Sequence, residues 1–215
     1  NQDEINRSPK QTYGEVRPGD IRYKDVNADG KIDDDDIVPI AHSNVPQIQY
    51  GFALEYRYKR WTISALFTGA AKVNFLYGGS GFYPFSGGEV GNILSIVNDP
   101  KNRWTPAWYS GDPSTENPNA RFPRLTYGEN KNNNRASTFW LRNGAYLRLK
   151  TLDIGYSLPK SLVNKVHMNQ VRIFFIGTNL LTFSKFKLWD PELNNSMGAT
   201  YPNMRVVNLG INLNF

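Results

Sequence analysis

Residues 25–36 read DVNADGKIDDDD. Asp25, Asn27 and Asp29 put side-chain oxygens at positions 1, 3 and 5 of a twelve-residue calcium-type loop. Gly30 stands at position 6, Lys31 offers its backbone carbonyl at 7, and Asp33 and Asp36 occupy 9 and 12. Oxygens at every second residue let a tight turn aim several at one hard cation, and the glycine permits the bend. Six aspartates against one lysine leave a local charge of −5, a repulsion that a divalent ion would relieve. Ca2+ is therefore the cofactor to expect. Asp36 stands where a bidentate Glu is usual, and no clear amphipathic helices flank the loop. The competing reading is a solvated Asp/Asn/Gly turn.

Other chemistry is sparse. His42 and His167 are the only histidines and Cys is absent, which removes disulfides, thiolate metal sites and cysteine nucleophiles. No nucleophile elbow, zinc-type His pair or phosphate-binding loop occurs. The glycines of Tyr77-Gly78-Gly79-Ser80-Gly81 lack the lysine that phosphate binding needs, and Asp190-Pro191-Glu192 reads as turn chemistry. The chain is not expected to be an enzyme. Aromatics in Gly/Pro-rich stretches are the remaining candidates: Phe82, Tyr83, Phe85, Trp104, Trp108, Tyr109 and Trp189 could anchor a ligand or partner. Trp104 and Trp108 could instead pack their loop on itself.

The elements that must position these residues show period two. In Ile48–Tyr58 the even positions Ile48, Tyr50, Phe52, Leu54, Tyr56 and Tyr58 are apolar or aromatic, and the odd positions are small or charged. Lys59-Arg60 makes a two-residue connection, and alternation resumes from Trp61, with Leu66 the exception. Tyr146–Leu158 alternates with a phase slip near Lys150-Thr151, which predicts a β-bulge. Val171–Leu181 alternates with its contrast blurred by Phe174, Ile176 and Leu180. Arg205–Phe215 sets Val207, Leu209, Ile211, Leu213 and Phe215 against Asn and Gly, a polar face natural to a wet barrel lumen. A strand of this length, tilted by roughly 45°, rises about 25 Å, the height of the apolar band of an outer-membrane barrel.

Connections alternate too. Lys59-Arg60 and Pro159–Gln170 are short, whereas 72–138 and 182–204 are long, as periplasmic turns and extracellular loops are. No apolar run reaches the roughly 18 residues of a spanning helix. The 215 residues carry a net charge of +6, split into −4 over residues 1–40 and +10 thereafter. The bases are scattered singly, so the basic footprint of nucleic-acid binding is missing. Five strands would leave two sheet edges open, and no signal stretch opens the chain, so a mature or internal piece of a longer barrel is expected.

The sequence resembles the C-terminal barrel region of SusC/RagA-type TonB-dependent outer-membrane transporters of Bacteroidetes. The resemblance is carried by Pro18–Gly30, Tyr50-Gly51-Phe52, Arg103-Trp104-Thr105-Pro106 and Phe122-Pro123-Arg124-Leu125, in family order. Tyr146–Lys150, Leu152–Pro159, Thr178–Phe183, Asp190-Pro191-Glu192, Tyr201-Pro202 and Phe215 continue it. It implies an all-β fold: antiparallel transmembrane strands from the C-terminal part of a barrel of about 22 strands with long extracellular loops. Residues 1–47 would form an extracellular loop region carrying the acidic loop, and 48–215 barrel strands and loops. The resemblance implies uptake of glycan or peptide cargo across the outer membrane of a Gram-negative bacterium. It also implies a SusD-like surface lipoprotein, TonB acting through an N-terminal region absent here, and outer-membrane lipid as the surroundings. Phe215 would serve as the signal read by the barrel-assembly machinery. The alternative is a secreted, calcium-stabilised carbohydrate-binding β-domain.

Overall fold

The computed structural model describes residues 1–79, 82–85, 93–193, 198 and 200–215, with the backbone alone of Val166. Its described strands are β1 (Lys10–Gln11), β2 (Lys31–Ile32), β3 (Ile48–Tyr58), β4 (Trp61–Ala71), β5 (Asn74–Leu76), β6 (Leu141–Asn143), β7 (Tyr146–Ser157), β8 (Gln170–Ser184) and β9 (Val206–Asn214). The chain divides into two units, one chiefly of residues 1–41 and 76–141, the other chiefly of 42–75 and 142–194 with 200–215. The N-terminal region does not stand alone, because the long stretch after β4 supplies most of its partners.

The second unit is built on an antiparallel sheet in the order β3-β4-β7-β8-β9. Each long strand coincides with an alternating segment of the sequence. Lys59, in the hairpin turn, takes φ 54°, the left-handed conformation that Gly or Asn would adopt more easily. The expected bulge is present: Leu66 pairs with Thr151 but Phe67 pairs with Leu149, which leaves Lys150 over. That one extra residue brings Leu147 and Leu149 onto the same face as Leu152, Ile154 and Tyr156. β8 runs past Leu181 to Ser184; the register shift at Lys150 leaves Asn179, at φ 54°, and Leu180 outside the pairing, an even number of residues, so Leu181 and Phe183 stay on the face of Phe175.

Register shows that the two faces are unlike across the whole sheet. One row reads Leu54, Ala65, Leu152, Gly177 and Val207 across the five strands; the next reads Tyr56, Ile63, Ile154, Phe175 and Leu209. A third reads Tyr58, Trp61, Tyr156, Ile173 and Ile211. The intervening rows point the other way: Glu55, Ser64, Asp153, Ile176 and Asn208, then Arg57, Thr62, Gly155, Phe174 and Gly210. Stacking of Phe52 on Phe67 at 4.9 Å and the tilted contact of Trp61 with Tyr156 at 4.8 Å support the register on the apolar side, each pair worth about 0.2–1 kcal/mol. Phe174 covers Gly210 and the Arg172 guanidinium covers Gly155. These glycines are therefore small to admit a neighbour, a reason the alternating pattern alone did not reveal.

The first unit has only short regular elements, among them the two-residue parallel pair of β1 and β2 and helices such as Gln2–Arg7 and Ala107–Ser110. Side-chain amides replace a ladder. Gln11 Nε2 donates to the Ile21 carbonyl at 3.1 Å and to Asn132 Oδ1 at 2.8 Å, and the Ile21 N–H donates to Asn133 Oδ1 at 2.9 Å. The Asp20 carboxylate is fully buried against Arg124 Nε at 2.8 Å and accepts from Asn133 Nδ2 at 2.7 Å. An aromatic core lies beside this network: Phe82 stacks on Tyr77 at 4.2 Å and meets Trp140 edge-on at 5.8 Å.

Candidate functional site

The polar face of the sheet carries paired charges. Arg57 bonds Glu55 along β3, and Arg172 on β8 reaches Asp153 on β7 at 2.6 Å. Arg148, on the same face of β7 between Thr68 and Thr182, is buried. Its guanidinium pairs with Asp190, and with Glu192 at 3.3 Å. Glu192 Oε2 also receives Lys150 Nζ at 3.5 Å and the Asn203 amide at 2.8 Å. Burial would raise the Asp190 carboxyl, but the Arg148 hydrogen bond and the Glu192 N–H outweigh it and hold the pKa below the usual value of 3.8. A cavity of about 660 Å³ opens beside this cluster, lined by Gln49, Thr68, Tyr146, Lys150, Pro191 and Glu192 among others. The arrangement offers hydrogen bonds of both signs to a polar solute.

The acidic loop is organised by its own backbone. Asp25 accepts from the N–H groups of Ala28 at 2.6 Å and Gly30 at 2.9 Å, Asn27 from Asp29, and Asp29 from Lys31. Asp36 accepts from Val26 and Asp33, and Lys31 Nζ lies 2.5 Å from Asp33 and 3.5 Å from Asp29. Ala28 at φ 63° and Gly30 at φ 86° supply the sharp bend. The Lys31 ammonium beside Asp33, and then the Asp35 N–H, lower that carboxyl, while the Val26 and Asp33 amides lower Asp36. Among the described residues no three acidic or histidine side chains gather to hold a metal ion. In this arrangement Lys31 Nζ balances part of the charge of Asp29 and Asp33.

The aromatic candidates separate by environment. Phe82 is buried under Trp140, which corrects its expected place at an interface: the ring is needed to fill the core of the first unit. Tyr83 rests half-buried on Trp140 with its hydroxyl on the Tyr77 carbonyl at 3.2 Å, and Phe85 lies against Tyr127. Trp104 covers Gly19, the packing reading. Trp189 meets Phe75 and Phe186 at 6.3 and 4.9 Å. Trp108 and Tyr109 alone of the seven are exposed, at 84% and 68%. The Glu116 carboxylate holds the start of their short helix at the Ala107 N–H, 2.8 Å away. Arg148 was not singled out in the sequence. Its signal was the paired acids of Asp190-Pro191-Glu192, which begin 42 residues further along the chain.

Comparison with known proteins bears on this sheet. No protein-family model matches the chain. TonB-dependent receptor P26 of Formosa agariphila is 30% identical over 212 residues, covering 92% of this chain and 20% of the relative. TonB-dependent receptor P3 of the same organism is 28% identical over 94% of this chain and 20% of its own length. Among solved structures, that of the RagAB peptide transporter matches 86% of the chain and 19% of its own with a TM-score of 0.61 at 26% identity. The RagAB peptide importer in the closed-closed state matches with a TM-score of 0.63 at 26% identity, over 87% of the chain and 20% of its own. The chain thus spans about a fifth of the length of these relatives. The resemblance to SusC/RagA-type TonB-dependent receptors holds in sequence and in structure, as does the all-β antiparallel fold, and the relatives are named receptors and transporters rather than enzymes.

Proposed function

We propose that this chain, so similar to part of a TonB-dependent receptor, contributes five strands and their loops to the barrel of an outer-membrane nutrient importer. One observation supports the reading above the rest: the five strands of the sheet keep one face apolar and the other polar because a bulge at Lys150 absorbs a phase slip that would otherwise have reversed the faces of β7. Lipid outside and a wet lumen inside give both faces a partner. Glycan or peptide is the cargo class, a SusD-like lipoprotein the surface partner, and TonB acts through a part of the protein outside this chain. Without plug and remaining barrel, these residues alone would not transport. A secreted carbohydrate-binding domain is the weaker reading, because it would leave Leu209, 80% exposed, and Ile211, 61% exposed, facing water.

Spin labels on β3 of the full-length protein test the proposal, and this stretch has no native Cys to compete for label. Labels at Phe52, Leu54 and Tyr56 are expected to contact lipid-soluble oxygen, and labels at Gln49, Glu55 and Arg57 a water-soluble relaxant. Reversed or uniform accessibility would remove the barrel assignment.

A further inference from the structure

The stretch after β8 was expected to be a surface loop, yet its first part is tied twice to the second unit. Phe186 is buried, meeting Phe75 edge-on at 4.8 Å and Trp189 at 4.9 Å. Asp190 and Glu192 then turn back to Arg148 and Lys150 of β7, and Asn203 closes the cluster from the segment leading into β9. Arg148 shares its face with Thr68, Thr182, Asp153 and Glu55, the polar side of the sheet. A loop that reaches this guanidinium has therefore folded over the polar face rather than away from the strand ends. Pro191 and Glu192 line the cavity that Gln49, Thr68 and Tyr146 floor.

We infer that residues 185–193 form a fixed inner wall of the lumen, and that Arg148 is the positioning residue that latches this wall to β7. The inference rests on the polar face being lumenal, the reading proposed above. An arginine suits the task because its planar fork serves two carboxylates at once, and a lysine ammonium cannot span both in the same way. The charges in the cluster balance, two cations against two anions, so the latch adds no net field to the path of a solute. Its effect is steric: it sets how wide the lumen is beside β7.

Trypsin reads the latch directly, since Lys185 and Lys187 are exposed within the stretch. The test uses the purified full-length transporter in detergent, with a free peptide of residues 182–193 as reference. Wild type is expected to resist cleavage at these lysines relative to the peptide. Arg148→Met and Asp190→Asn should each speed it at least about tenfold, because breaking a buried ion pair destabilises the closed loop. The double variant should be cut no faster than the faster single variant, and Arg148→Lys should lie between. Heat-modifiability of the barrel should not change. Wild type cut as fast as the free peptide, or folded variants cut at the wild-type rate, would overturn the latch. Should Arg148→Met fail to assemble, Asp190→Asn and Glu192→Gln, which keep side-chain size, decide alone. Spin labels placing the polar face in lipid would instead remove the lumenal reading and leave the trypsin result to judge the latch.

Discussion

The two units hold themselves together by opposite means. In the sheet unit, backbone ladders do the joining and most large apolar side chains on one face remain exposed, from Leu54 to Leu209. In the loop unit, ladders are nearly absent, and buried polar groups such as Asp20, Arg124, Asn132 and Asn133 do the joining around an aromatic core. The contrast separates two kinds of dependence. A ladder is indifferent to which side chains it carries, so the sheet can spend its side chains on its surroundings. A buried polar network tolerates no lost member, because each unpaired group keeps its full desolvation penalty.

The largest effect should come from the loop unit. Asp20→Ala leaves Arg124, only 17% exposed at its side chain, without its counter-charge, at a cost of about 3–5 kcal/mol. Hydrogen exchange of the full-length protein is expected to show faster exchange at Ile21, Phe122 and Asn133 with β3–β9 unaffected. Equal loss of protection in the strands would mean that the units are not separately held.

A somewhat smaller cost is expected on the sheet, and it should depend on face. Leu209→Arg places a charge in the middle of the apolar face and should cost roughly 2–4 kcal/mol in a bilayer. Asn208→Arg, one residue away on the polar face, should cost little. Unfolding of the full-length protein from lipid vesicles measures both; equal costs would erase the difference between the faces.

The smallest effect concerns the acidic loop, which is solvated and stabilised locally. Asp33 and Asp36 have depressed pKa values, so their contribution is complete above the ordinary carboxylate value and fades only as pH falls through their lowered ones. Neutral pH should leave the turn closed. Calcium is proposed as a competitor for Lys31, whose ammonium already holds Asp29 and Asp33. Calorimetry at millimolar calcium is expected to show weak uptake, strengthened a few-fold by Lys31→Ala. No heat from either protein would leave the Lys31-balanced turn as the whole account of these residues.

By itself the sequence determined the five long strands, the hairpin at Lys59-Arg60 and the bulge beside Lys150. Each rests on period two, a property of neighbouring residues that needs no knowledge of partners. Family resemblance was legible for the same reason, in short motifs such as Tyr146–Lys150. What those motifs pair with was not. Asp20 and Arg124 lie on motifs 104 residues apart and form one buried ion pair; Arg148 and Asp190 lie 42 apart and form another. Phe82 looked like the other loop aromatics until the fold covered it with Trp140. Burial and long-range pairing are properties of where the chain returns to itself, and loops without periodicity give no local record of that return. Tertiary structure alone therefore decided which loop residues are core, which are exposed like Trp108, and which charge holds the wall beside the polar face.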